Sequence, residues 1–120
     1  MQTYSGARDL RAVGEARRFV TAAVKAEGCA ELASTAALLS SELATNAVIH
    51  GDAGFAMRVA WTGEGVRIEV YDDGGGDPVE LQADPTSDRG RGLKIVDALS
   101  TRWGVAPHPD GIGKTVWFEL

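Results

Sequence analysis

The chain has 120 residues, 44 % of them hydrophobic and 24 % charged, the length and composition of one ordinary soluble globular domain. Its net charge is −5, with 12 cationic residues scattered among 17 acidic ones, which excludes the basic stripe of a nucleic-acid binder and a polybasic membrane anchor. Cys29 is the single cysteine, Met1–Gly6 holds no apolar signal region, and no uninterrupted apolar run nears the ~20 residues of a membrane span, so a reducing, cytoplasmic setting is the default expectation.

Val13, Ala16, Phe19, Val20, Ala23 and Val24 recur at helical spacing, which predicts an amphipathic helix from about Gly14 to Glu27, with Gly28 placed to end it. A longer helix is expected from about Glu31 to His50 through Leu32, Ala36, Leu39 and Leu43, with Gly51 as its C′ residue. The period then changes to two. Phe55, Met57, Val59 and Trp61 alternate with smaller or polar residues, Thr62-Gly63-Glu64-Gly65 turns the chain, and Val66, Ile68 and Val70 alternate with Arg67, Glu69 and Tyr71. This predicts a hairpin with one buried face.

From Asp72 to Gly92 no periodicity is visible, and a loop of that length inside a compact domain is usually functional, for example as a lid. Leu93, Val96 and Leu99 suggest a short helix. Trp103 and Val105 begin a strand, Pro107–Gly111 makes a turn, and Thr115–Leu120 closes the chain. Helices first and hairpin-linked strands later predict a single α+β domain over residues 1–120, a two-layer sandwich rather than a parallel βαβ fold.

Glu42, Asn46 and His50 are four residues apart, so at about 3.6 residues per turn they form one stripe on the long helix. Leu39, Leu43 and Ala47 share or border that side. A carboxylate and an amide buried there cost several kcal/mol, ~2–7 each, unless something partners them. The loops Asp72-Asp73-Gly74-Gly75-Gly76 and Gly90-Arg91-Gly92-Leu93 suit a nucleotide, which makes a magnesium-bound phosphate chain the expected partner. Two commoner phosphate motifs fail. Gly113-Lys114-Thr115 resembles the end of a P-loop, but His108 stands where its first glycine belongs and Thr115 opens a strand; a dinucleotide fingerprint from Gly90 meets Ile95 at its third glycine.

Glu42-x-x-x-Asn46, Asp72-x-Gly74-x-Gly76, Gly90-x-Gly92-Leu93 and Gly113-x-Thr115 resemble, in order, the four nucleotide boxes of the GHKL (histidine kinase-like) ATPases. The wording Ser-Glu-Leu-Ala-Thr-Asn-Ala-Val-Ile-His-Gly and the ending Gly-Lys-Thr-Val-Trp-Phe-Glu-Leu are similar to the bacterial anti-sigma factor serine/threonine kinases of partner-switching pathways. The resemblance runs from about Leu10 to Leu120. It implies the Bergerat fold, with helices on one face of a mostly antiparallel sheet and ATP and Mg2+ as ligands.

The resemblance assigns a general base to Glu42, and a carboxylate one turn from Asn46 can orient or deprotonate a hydroxyl. A structural carboxylate holding Asn46 is the alternative. Asn46 is implied as the one protein ligand to magnesium, a hard ion that takes oxygen. Asp72 is implied as the acceptor of the adenine amine, with Asp73 as its rival. Gly74 and Gly76 permit close backbone approach, and Gly90 and Gly92, read as preceding a helix, offer free N–H groups to phosphate. Arg89 and Arg91 either add charge to that cradle or remain surface arginines. Leu93 completes the third box, and Thr115 matches the position that holds a water against adenine. His50 reads better as a helix-terminal charge than as a catalyst. The lid, about residues 77–91, is short for the family.

A serine/threonine kinase is therefore expected, acting on a small antagonist protein in a switch that also involves a sigma factor. A non-catalytic module that uses ATP to sequester a partner is the alternative. Homodimerisation is a further expectation of the resemblance, whereas nucleic acid and membrane are not expected partners.

Overall fold

The computed structural model describes residues 1–51, 53–72, 88–109 and 113–120, with only the backbone over 88–92. Five strands, β1 (Gln2–Gly6), β2 (Phe55–Trp61), β3 (Val66–Asp72), β4 (Arg102–Pro107) and β5 (Lys114–Glu119), make one sheet in the order β1-β2-β3-β5-β4. Each neighbouring pair is antiparallel. Helices α1 (Arg11–Ala26), α2 (Ala33–His50) and α3 (Asp88–Leu99) form the second layer. The α+β sandwich is as the apolar periodicity predicts.

Helix α1 buries Ala12, Ala16, Val20, Ala23 and Val24, one stripe at helical spacing. It opens earlier than Gly14 because Asp9 secures its first turn: the Asp9 carboxylate accepts the Arg11 N–H at 2.8 Å and the Asp9 carbonyl accepts the Ala12 N–H at 2.9 Å. Gly28, at φ +83°, ends it in a Schellman motif. There the Gly28 N–H donates to the Lys25 carbonyl at 3.0 Å and the Cys29 N–H to the Val24 carbonyl at 3.1 Å.

Where one helix was expected from Glu31, a short 3-10 turn (Ala30–Leu32) leads into α2. Length and hydropathy alone would let Ala30–His50 cross a bilayer. In the fold it packs against α1, α3 and the sheet, which is why residues on several sides of it, Ala33, Ala36, Leu39, Leu43, Ala44 and Val48 among them, are buried. Arg8 ties down its far end, donating from Nε to the Val48 carbonyl at 3.2 Å.

The expected hairpin is β2–β3, its register running from Phe55 opposite Asp72 to Trp61 opposite Val66. Phe55, Met57, Val59, Val66, Ile68 and Val70 all face the core, together with Phe118 of β5. Strand β1 carries no apolar alternation and was not anticipated. It pairs along β2 at the sheet edge, where Tyr4 stacks on Phe19 at 5.5 Å and its hydroxyl donates to Glu15 at 2.7 Å. Helix α3 also differs from expectation. It opens at Asp88, so Gly90 and Gly92 lie inside its first turns instead of before it. Two glycines, each costing about 1 kcal/mol in a helix, hid that start from a reading by propensity.

Candidate functional site

The site forms where α2 crosses the end of β3. Helical spacing carries Glu42 and Asn46 round to one side of α2, one turn apart, and strand alternation turns Asp72 toward the helices beside Val66, Ile68 and Val70. The stripe is less hidden than expected: Glu42, Asn46 and His50 are half-buried, while Leu43 and Ala47 beside them are buried. Solvent at the helix edge thus spares Glu42 much of the desolvation cost that full burial imposes.

Leu43, Asn46, Ala47, Val70, Asp72, Leu93, Lys114 and Val116 line a cavity of about 10 Å3. That volume is about the space of one water and none for a purine, so a base enters only as the walls part. Asn46 gives this cavity its strongest mark of a ligand. Its Nδ2 is buried without a hydrogen-bond partner among the described residues, a defect worth about 1–3 kcal/mol if nothing ever satisfies it. A half-turn of the amide exchanges Nδ2 for Oδ1, so the same side chain offers either a donor or an acceptor there.

Asp72 is buried, and its Oδ2 lies 3.2 Å from Nζ of Lys114, with the two side chains only 5 % and 3 % exposed. The cause is register. Antiparallel pairing of β3 and β5 sets Lys114 directly opposite Asp72, so the two side chains rise from the same face of the sheet. Motif spacing gives Lys114 no role, since it stands at the variable position of Gly113-x-Thr115. The signal was the alternation Lys114, Val116, Phe118 along the last strand.

The same alternation turns Thr115 the other way. It sits opposite Tyr71, on the other face of the sheet from the cavity, with its hydroxyl 3.0 Å from His108 Nε2. A strand shows successive residues to opposite faces, so Lys114 and Thr115 cannot both meet Asp72. The expectation for Gly51 is corrected. It is the C-cap residue of α2 in extended conformation (φ −81°, ψ 160°), not a left-handed C′. Glycine stands there for room: a Cβ would run into the Ala47 carbonyl and come within 2.7 Å of Asp72 Oδ1.

Leu93, expected in the third box, is buried in the cavity wall. The backbone of Arg89, Gly90, Arg91 and Gly92 is helical; the side chains of Arg89 and Arg91 lie outside the described residues, as do Asp73, Gly74, Gly76 and the lid up to residue 87. Cys29 is buried away from these groups, and burial, then the Glu31 and Glu27 carboxylates, push its thiol pKa upward. That keeps it a poor nucleophile.

The family model of the histidine kinase-like ATPase domain matches residues 7–120, the whole of the site included. The chain belongs to the histidine kinase-like ATPase domain family. No curated protein matches it. Among solved structures, a chain in the crystal structure of the SiaB–SiaC complex from Pseudomonas aeruginosa is similar at a TM-score of 0.68 and 14 % identity, covering 100 % of this chain and 90 % of that one. At that identity the likeness is one of fold. Membership of the ATPase family implies a nucleotide, and this histidine kinase-like domain offers it a buried carboxylate, an unsatisfied amide and a shared wall.

Proposed function

We propose that this domain is an ATP- and Mg2+-binding regulatory protein kinase of the anti-sigma factor type. It transfers the γ-phosphoryl group of ATP to a serine or threonine of a small antagonist protein. The unsatisfied Asn46 amide, one turn from Glu42 and facing the cavity that Asp72 closes, is the observation that carries this reading. Asn46 would hold Mg2+ through its oxygen, and Asp72 would accept from the exocyclic amine of adenine. Asp72 disfavours guanine at that point, because a carbonyl oxygen facing a carboxylate pairs two acceptors.

The bound nucleotide and metal supply an activated phosphoryl group and a counter-charge for its oxygens. Glu42 orients the acceptor hydroxyl and takes its proton as the new oxygen–phosphorus bond forms and the β–γ bridging oxygen departs with ADP. Half-exposure suits Glu42 to that task, since a side chain from a second protein has to reach it. The similar SiaB–SiaC structure is a complex of two proteins, which supports a protein as partner here. A sigma factor as the second partner, a homodimer and a cytoplasmic setting belong to the same proposal.

A second reading retains ATP and drops the transfer, leaving a module that sequesters its partner. It is favoured by one observation: Asn46 and Asp72 line the cavity and Glu42 does not. Labelled ATP and candidate antagonists decide between the two. The kinase reading expects label on the antagonist and a loss of about 10²–10⁴-fold in rate for Glu42→Ala with ATP affinity retained. Absence of transfer by the wild-type protein, with ATP-dependent capture of the antagonist intact, would falsify the kinase and leave the module.

A further inference from the structure

The buried Lys114–Asp72 pair is not explained by folding energy. Lysine is almost never fully buried, and a buried pair often contributes no more than well-packed apolar residues of equal volume. The two charged ends are also placed where a base would be read. They stand 3.2 Å apart and line the same cavity as the unsatisfied Asn46 amide.

A carboxylate by itself reads only half of an adenine edge. That edge presents the exocyclic amine, a donor, beside the ring nitrogen N1, an acceptor, and bases are told apart by hydrogen bonds along it. Asp72 has acceptors only, whereas an ammonium has three donors and no acceptor. One Nζ–H can therefore stay on Asp72 while another reaches N1, and the exocyclic amine donates to the carboxylate. The alternation of β5 leaves this task to Lys114, because Thr115 is on the opposite face and engaged with His108.

We infer that Lys114 is a specificity-determining residue of the nucleotide site, donating from Nζ to N1 of the adenine whose exocyclic amine Asp72 accepts. The inference rests on the proposal that this cavity opens to bind ATP, and it goes beyond it by giving the base a second point of recognition. The four-carbon stem of lysine lets the ammonium follow the base as the walls part, which a short side chain at this position does not allow.

The probes are ATP and 1-deaza-ATP, in which a C–H replaces N1, titrated calorimetrically with Mg2+ into the full chain. Wild type is expected to bind 1-deaza-ATP about tenfold or more weakly, the effect of losing one hydrogen bond to a charged group. Lys114→Met is expected to bind the two nucleotides alike. Should Lys114→Met fail to fold, the charge-neutral double variant Asp72→Asn/Lys114→Met is expected to show the same indifference. Equal binding of both nucleotides by wild type overturns the role of Lys114 and leaves the ATP site standing. So does a preference for ATP that persists undiminished in the variants. If wild type binds neither nucleotide, the ATP site itself is overturned, and this inference falls with it.

Discussion

The two faces of the sheet both carry ion pairs, and they use them in opposite ways. On the outer face Arg67, Glu69, Glu119 and Arg102 form a chain of contacts: Arg67 lies 3.2 Å from Glu69 and 3.4 Å from Glu119, which also takes Arg102. Arg102 is 69 % exposed, and the Arg67 guanidinium lies 4.0 Å from the Trp117 ring centroid. On the inner face Asp72 and Lys114 are desolvated. Water reaches Arg102 and screens its pair, which contributes about 0–1 kcal/mol, while Arg67 at 32 % and Glu69 and Glu119 at 14 % exposure keep partial contact with solvent. The inner pair has lost its water, so each charge is far more sensitive to the loss of its counter-charge.

Breaking the inner pair on one side gives the largest expected effect. Lys114→Met should cost about 3–5 kcal/mol in urea unfolding, because it removes the ammonium that faces a buried carboxylate. Asp72→Asn/Lys114→Met should recover most of that loss; a double variant no more stable than Lys114→Met would show that packing of the lysine stem, not charge, dominates.

Gly51→Ala tests the same region without touching a charge. A methyl group between the Ala47 carbonyl and Asp72 Oδ1 should cost about 1–3 kcal/mol and weaken ATP binding, both measurable on one preparation. A fully stable Gly51→Ala protein would mean that the end of α2 shifts freely.

The outer face should respond far less. Arg102→Ala is expected to lose under about 1 kcal/mol, and half-molar salt should reduce even that difference. A loss as large as that of Lys114→Met would erase the contrast between the faces.

The smallest effect is a titration. Tyr71 donates its hydroxyl to Glu69 at 2.9 Å, and burial, then this hydrogen bond and the nearby carboxylate charge, raise its pKa above the usual 10.0. A raised folded-state pKa contributes stability that is complete below pH 10 and disappears as pH climbs through the shifted value. Tyr71→Phe should accordingly show a flatter fall in stability above pH 10, read from denaturation midpoints.

Much of this was visible along the chain. Helical recurrence from Val13 to Val24, the alternation of β2 and β3, and the spacing of Glu42 and Asn46 are local properties, and short-range sterics impose them wherever the residues occur. The misses were non-local. Strand β1 has no periodicity of its own and exists because β2 offers it an edge. Helix α3 starts among glycines that propensity alone rejects. At Gly51 the constraint is the approach of Asp72, 21 positions away, which no neighbour in sequence reveals.

Lys114 and Thr115 show where local reading stops. Their order in Gly113-Lys114-Thr115 says that they face opposite ways, and the alternation with Val116 and Phe118 puts Lys114 on the inner face without naming its partner there. That partner depends on pairing across the sheet between residues 42 positions apart, and a slip in register would change it. Periodicity, a property of neighbours, settles layers and helix faces; the partner of a buried charge is settled only when distant strands come into register.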